Sequence, residues 1–145
     1  MSSTGVKFRE LSWEDASEVG LVYKSWLGSY RNHAVDVPYS LYRELYQGLL
    51  DRLMKRPGCC VVLAYHPEYP EQIFGFAVLE RNSPTLHYIY VKADYRRKGI
   101  GADLLEYILA ENTAFDFTTK TRLGWKYLKS RGGNYKPRFI RNELP

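Results

Sequence analysis

Tyr90-Val91-Lys92-Ala93-Asp94-Tyr95-Arg96-Arg97-Lys98-Gly99-Ile100-Gly101-Ala102-Asp103-Leu104-Leu105 is the stretch on which the fold turns. The run leading into it, Thr85 to Val91 (TLHYIYV), is rich in β-branched and aromatic residues and predicts a strand. Beyond it, Ile100, Leu104, Leu105, Ile108 and Leu109 recur at helical spacing. The chain therefore passes from strand to helix through a short basic loop. A helix start leaves backbone N–H groups unpaired at the positive end of the dipole, and phosphates bind there readily. Gly99 and Gly101 let the backbone come close to a ligand, and Arg96, Arg97 and Lys98 add positive charge beside it. The spacing predicts a site for a diphosphate.

Two other phosphate loops fail on spacing. A dinucleotide fingerprint needs a third glycine where Leu104 stands, and no early βαβ unit surrounds the loop. A Walker A loop needs Gly-Lys-Ser/Thr after four intervening residues, and the sequence has none.

Working outward, Val6 to Leu11 predicts a short first strand, with Ser12 as N-cap and Glu14 and Asp15 in the first turn of a helix. That helix presents Val19, Val22, Tyr23 and Trp26 on one face. A second helix starts near Ser40, carries Leu41, Leu45, Leu49 and Leu53, and stops at Pro57-Gly58. Cys59 to Tyr65, Ile73 to Glu80 and Thr85 to Val91 predict a three-strand meander, punctuated by His66 to Pro70 and Arg81 to Pro84. After the loop and its helix, Phe115 to Thr119 predicts a strand and Trp125 to Lys129 a short helix. The order β-α-α-β-β-β-α-β-α calls for an α/β (α+β) fold with one mixed sheet and helices on both faces.

The chain of 145 residues fits one domain, 1–145, and its 45% apolar content suffices for a core. Thirteen tyrosines demand half-buried sites where a hydroxyl still finds a partner. No segment approaches the roughly 18 apolar residues of a membrane span, and Met1 to Gly5 lacks the layout of a signal peptide. Cys59 and Cys60 are adjacent, which makes a bridge between them implausible and points to a reducing, cytoplasmic setting. With two cysteines and three scattered histidines, no metal site is expected. From Phe117 onward, eight basic residues meet one acid, Glu143, so the net charge of +5 belongs to the C-terminal fifth.

The motif resembles the acetyl-CoA-binding segment of the GNAT N-acetyltransferases, Arg/Gln-x-x-Gly-x-Gly/Ala, filled here by Arg96, Gly99 and Gly101. In that family it follows a three-strand meander preceded by one strand and two helices, the order read above. The resemblance implies an acyl-CoA-dependent N-acyltransferase working by direct attack of an amine in a ternary complex, with acetyl-CoA as co-substrate and no metal. Main-chain N–H groups of Arg97, Lys98, Gly99, Ile100, Gly101 and Ala102 would cradle the pyrophosphate. Ile89, Tyr90 and Val91 would pair with the pantetheine arm, and an amide near Val91 would polarise the thioester carbonyl.

Such a reaction calls for a base to take the amine's proton and an acid to supply the leaving thiolate. The family's usual carboxylate on the strand entering the motif is missing. Thr85, His87 and Ile89 are expected to share one face of that strand, which makes His87 the candidate base, with Glu80 as the other. The family's acid is a tyrosine in the last helix. Tyr127 stands about there and Tyr135 behind it, although Gly132-Gly133 falls one position later than the usual pattern. The missing carboxylate leaves a non-catalytic scaffold, such as a phage virion component, as an alternative. Lys120 to Arg141 interleaves cations with Trp125, Tyr127, Tyr135 and Phe139, which suits a solvated face or an anionic partner such as nucleic acid or acidic protein. Val22 to Arg31 is similar to a segment of small phage-encoded GNAT-like proteins. That similarity implies host cytoplasm or a virion as the setting and leaves a homo-oligomer or virion assembly open.

Overall fold

The computed structural model describes residues 5–30, 38–81, 84–119 and 124–136. Six strands form one sheet in chain order: β1 (Lys7–Glu10), β2 (Cys59–Tyr65), β3 (Ile73–Glu80), β4 (Thr85–Val91), β5 (Phe115–Phe117) and β6 (Gly133–Tyr135). The first four pair antiparallel, while β4–β5 and β5–β6 are parallel. Helices α1 (Ala16–Tyr30) and α2 (Tyr39–Met54) connect β1 to β2; α3 (Ile100–Leu109) and α4 (Trp125–Arg131) make the two parallel crossovers. The expected mixed sheet with helices on both faces is the fold. A final strand, β6, extends the expected order. Three residues led by glycine carry too little alternation to announce a strand.

Each face of the sheet has its own core. Val22, Trp26, Leu50 and Leu53 of α1 and α2 pack on Val61, Leu63, Phe76 and Tyr88. On the other side Ile100, Leu104, Leu105 and Leu109 of α3 and Leu128 of α4 pack on Ala77, Leu86, Phe115 and Phe117. These are the positions where helical period meets strand period.

Two local expectations shift. The cap of α1 is Asp15 rather than Ser12. Asp15 Oδ1 accepts the N–H groups of Ser17 at 3.0 Å and Glu18 at 3.2 Å, while Ser12 offers only its carbonyl, to the N–H of Asp15. In α2 the leucines at every fourth position do not share one face. A four-residue step overshoots a turn by about 40°, so three steps rotate the side chain by about 120°. Leu53 is fully buried and Leu41 is 44% exposed, and Tyr42 takes the inward position at that end, donating to the Leu27 carbonyl at 2.6 Å.

The third shift is the one that shapes the site. β4 is opposite β3 as Leu79↔Leu86 and then Val78↔Tyr88, so His87 is an extra residue in the ladder. A bulge reverses the alternation beyond it. Leu86, Ile89 and Val91 consequently pack on the α3 side, and Tyr88 and Tyr90 on the α1 side. Thr85, His87 and Ile89 therefore do not alternate onto one face; the strand is not regular where that expectation needed it to be.

Candidate active site

β4 and β5 are neighbours only at their beginnings, through Thr85↔Asp116 and Leu86↔Phe117, with a last main-chain bond from the Thr118 N–H to the Leu86 carbonyl at 3.0 Å. Past that point β4 runs on without β5 as a partner. Beside the unpaired end of β4 is a cavity of about 910 Å³, lined by Ile89, Tyr90 and Val91 of β4 and by Gly124, Tyr127 and Leu128 at the start of and within α4. Residues 96, 97 and 99 to 102 line its floor, and Gly28 and Ser29, at the end of α1, lie along it as well.

The bulge decides what β4 offers to this cavity. The Lys92 N–H donates to the Phe74 carbonyl at 2.8 Å, which makes Lys92 and Phe74 a hydrogen-bonded pair. By antiparallel alternation, Tyr90 also turns its main chain to β3, whereas Ile89 and Val91 turn theirs away from it, toward the cavity. The Val91 carbonyl accepts Arg96 Nε at 2.8 Å, and the guanidinium lies over the Tyr90 ring at 5.6 Å. Arg96 thus folds back to clamp the end of the strand.

The loop then tightens. A single 3₁₀ turn, Ala93–Tyr95, precedes two left-handed residues, Arg97 at φ 63° and Gly99 at φ 87°. A non-glycine residue rarely occupies that region, and Arg97 holding it marks a turn fixed by its surroundings. Gly99 is the N-cap of α3, and no side chain among the described residues caps that helix. Among the described residues no side chain covers its first N–H groups, which lie at the cavity floor. At Gly101 a β-carbon would touch only Val91 Cγ2, at 3.6 Å, so the missing side chain keeps the gap between α3 and β4 clear.

The residues expected to do acid–base work are separated by the fold. Tyr127 lines the cavity and is 45% exposed. His87 is wholly buried: Nδ1 lies 3.0 Å from Thr118 Oγ1 and Nε2 lies 3.2 Å from Glu80 Oε1, an oxygen that also accepts Arg56 Nε at 3.0 Å. Burial pushes the imidazole below its ordinary pKa, and the Glu80 carboxylate offsets part of that. Neither His87 nor Glu80 lines the cavity. Tyr135, on β6, packs near Phe117 with ring centroids 5.4 Å apart and lies outside the lining too.

Two lining hydroxyls escaped the sequence reading. Ser29 Oγ and Tyr88 Oη are 2.6 Å apart, and Tyr88 stacks parallel to Trp26 at 4.7 Å. Burial raises the Tyr88 pKa, so the phenol stays protonated. The bulge hid Tyr88, because regular alternation assigns it the opposite face. Of the basic segment, Lys126 and Lys129 are exposed on α4, whereas Arg131 is bound to Glu106 of α3, Nε to Oε1 at 2.5 Å. Lys120, Arg122, Arg138, Phe139 and Arg141 lie outside the described residues. No group of three or more potential metal-ligating side chains occurs among the described residues, and no helix among them is long and apolar enough to cross a membrane.

A sequence profile of the acetyltransferase (GNAT) domain matches residues 56–133, more than half of the chain. No curated protein matches in sequence. Among solved structures, a protein from Pyrococcus furiosus named for acetyl transfer superposes with a TM-score of 0.64 at 16% identity, covering 90% of this chain and 95% of that one. A transcriptional regulator from Bacillus halodurans C-125 reaches 0.57 at 14% identity, covering 88% and 91%. The ribosomal-protein-alanine N-acetyltransferase of Brucella melitensis biovar Abortus 2308 reaches 0.56 at 15% identity, covering 90% and 93%. At these identities the likeness is one of fold.

Proposed function

Because the chain belongs to the GNAT acetyltransferase family, we propose that it transfers an acetyl group from acetyl-CoA to an amine. The observation that carries this reading is the parting of β4 from β5 beside an uncapped helix N-terminus. The site fits a CoA thioester in three respects: an open cavity, a strand edge with outward main-chain groups, and a gap over Gly101 that a side chain would narrow.

In this reading the N–H groups of Ile100, Gly101 and Ala102 hold the pyrophosphate, and the charges of Arg97 and Lys98 stand beside them. Ile89 and Val91 accept the pantetheine arm as an added strand. A main-chain N–H of that edge faces the thioester carbonyl and stabilises the oxyanion of the tetrahedral intermediate. The amine nitrogen bonds to the carbonyl carbon, and collapse of the intermediate breaks the carbon–sulfur bond. The Tyr127 hydroxyl gives its proton to the departing sulfur, and the proton lost by the nitrogen passes to water. No carboxylate lines the cavity among the described residues, which is why water takes that proton here. His87 and Glu80 act from within the sheet, without touching the reacting atoms.

Calorimetric titration with acetyl-CoA tests the reading directly. The unmodified chain binds, and Gly101→Glu weakens binding by more than roughly tenfold, since like charges face to face cost several kcal/mol. Circular dichroism of the variant checks that α3 is intact. Absence of binding at millimolar acetyl-CoA overturns the proposal. Mass spectrometry of the purified protein, searching for co-purifying CoA thioesters, reports which acyl group it carries.

A further inference from the structure

β4 and β5 stop pairing at a defined point, and the side chains there form a continuous hydrogen-bonded chain, buried except at its Arg56 end. Arg56, just past α2, donates Nε to Glu80 Oε1 at 3.0 Å; the same oxygen lies 3.2 Å from His87 Nε2; His87 Nδ1 lies 3.0 Å from Thr118 Oγ1. The chain runs from the helical layer through β3 and the β4 bulge to the end of β5. It crosses the fork at the bulge, immediately beyond the last backbone bond, Thr118 N–H to Leu86 carbonyl. Thr118 and Thr119 are buried, and the chain that continues from them carries Gly124, Tyr127 and Leu128, the opposite wall of the cavity.

Resting on the proposed acetyl transfer, we infer that His87 is a positioning residue that pins the fork: its bond to Thr118 fixes where β4 and β5 separate and so sets the distance between the Ile89–Val91 edge and the wall bearing Tyr127. The tautomer follows from the network. A carboxylate accepts only, so Nε2 carries the proton and donates to Glu80. Nδ1 is then the acceptor, and the Thr118 hydroxyl, which lies 3.5 Å from the His87 carbonyl, donates to the nearer Nδ1 at 3.0 Å. The Arg56–Glu80 pair thus orients the ring, and the Thr118 bond transmits that orientation to β5. The bulge makes His87 the extra residue of the ladder, at the point where β4 and β5 stop pairing.

Substitutions separate the two ends of the ring. An asparagine amide reaches the position of Nδ1, and a glutamine amide the position of Nε2. His87→Asn therefore keeps the bond to Thr118 and gives up the bond to Glu80, whereas His87→Gln does the reverse. Both remove the ring, so their melting temperatures fall together and serve as the control for general damage. Two readouts decide: the acetyl-CoA dissociation constant by calorimetry, and amide exchange in the ligand-free protein. We expect His87→Gln and Thr118→Val to bind acetyl-CoA roughly tenfold more weakly than His87→Asn, which corresponds to about one lost hydrogen bond between protein walls. Thr118→Ser, which keeps the hydroxyl, restores binding. Exchange at Thr118, Thr119 and α4 is faster in the Gln variant than in the Asn variant. Equal binding by the Asn and Gln variants, or equal exchange at those amides, overturns the inference. If the unmodified chain binds no acetyl-CoA, the proposed function falls and the exchange comparison alone decides the pin.

Discussion

Gly99 and Arg97 show how one residue's dihedral can matter more than its side chain. Both lie in the left-handed region, two positions apart, and the turn they make delivers the start of α3 to the cavity floor. A β-carbon at Gly99 meets the steric penalty that makes left-handed backbone uncommon for other residues. Gly99→Ala should cost about 1–2 kcal/mol of stability and weaken acetyl-CoA binding by more than that loss alone explains. Chemical denaturation and calorimetry on the same preparation measure the two effects separately. A variant as stable as the parent, with unchanged affinity, would show that the turn tolerates a side chain and that its dihedral carries nothing. For His87 the sequence leaves a base and a hydrogen-bonded structural histidine equally open, and only the fold separates them. The residue's identity is in the sequence, but its burial and its two partners, Glu80 and Thr118, lie 7 and 31 positions away.

Among the elements, α4 and β6 depend on the glycine pair between them. Gly132 caps α4 at φ 117°, and Gly133 opens β6 against Phe115. A β-carbon on Gly133 would lie 2.7 Å from the Leu128 carbonyl oxygen and 2.9 Å from the rings of Phe115 and Phe117. Backbone and buried rings cannot yield cheaply, so Gly133→Ala should destabilise the fold by about 1–3 kcal/mol. Because Tyr127 and Leu128 belong to the helix that must shift, acetyl-CoA affinity should fall as well; a thermal melt with a titration at low temperature checks both. The pair that fell one position late against the family pattern is thus the hinge between helix and strand. For α2, leucine spacing located the helix, and the drift of about 40° per four-residue step decided that Tyr42, rather than Leu41, faces inward.

At the scale of the whole molecule, the charge network through the sheet ties stability to pH. Burial lowers the His87 pKa from its ordinary value of 6.5. The unfolded chain therefore takes up a proton that the folded chain resists, and stability falls as pH drops below that value. Above it the imidazole is neutral in both states and the term vanishes. The Asp15 and Glu106 carboxyls act in a separate window. Bonds from Ser17 and from Arg131 hold them below their ordinary values of 3.8 and 4.5, so their contribution is lost only in stronger acid. Melting temperatures measured from pH 8 to pH 5 should decline below about 6.5, and His87→Asn should flatten that decline. A flat profile in the parent chain would mean that the imidazole protonates in place.

The order of elements up to α4 and the basic, glycine-bearing turn between β4 and α3 can be read from the residues alone. Both are written in local terms: the period of apolar residues and the few residue types that permit a left-handed turn at a helix start. The remaining features arise from contacts between elements. The bulge at His87 is a matter of register between two strands, and register depends on how β3 and β4 meet rather than on either alone. That single extra residue reversed the faces of β4, turned Ile89 and Val91 toward the cavity, and joined Tyr88 to Ser29. It also set His87 in the buried bond network between Glu80 and Thr118. Periodicity cannot announce a break in periodicity, because the break is stabilised by partners distant in sequence.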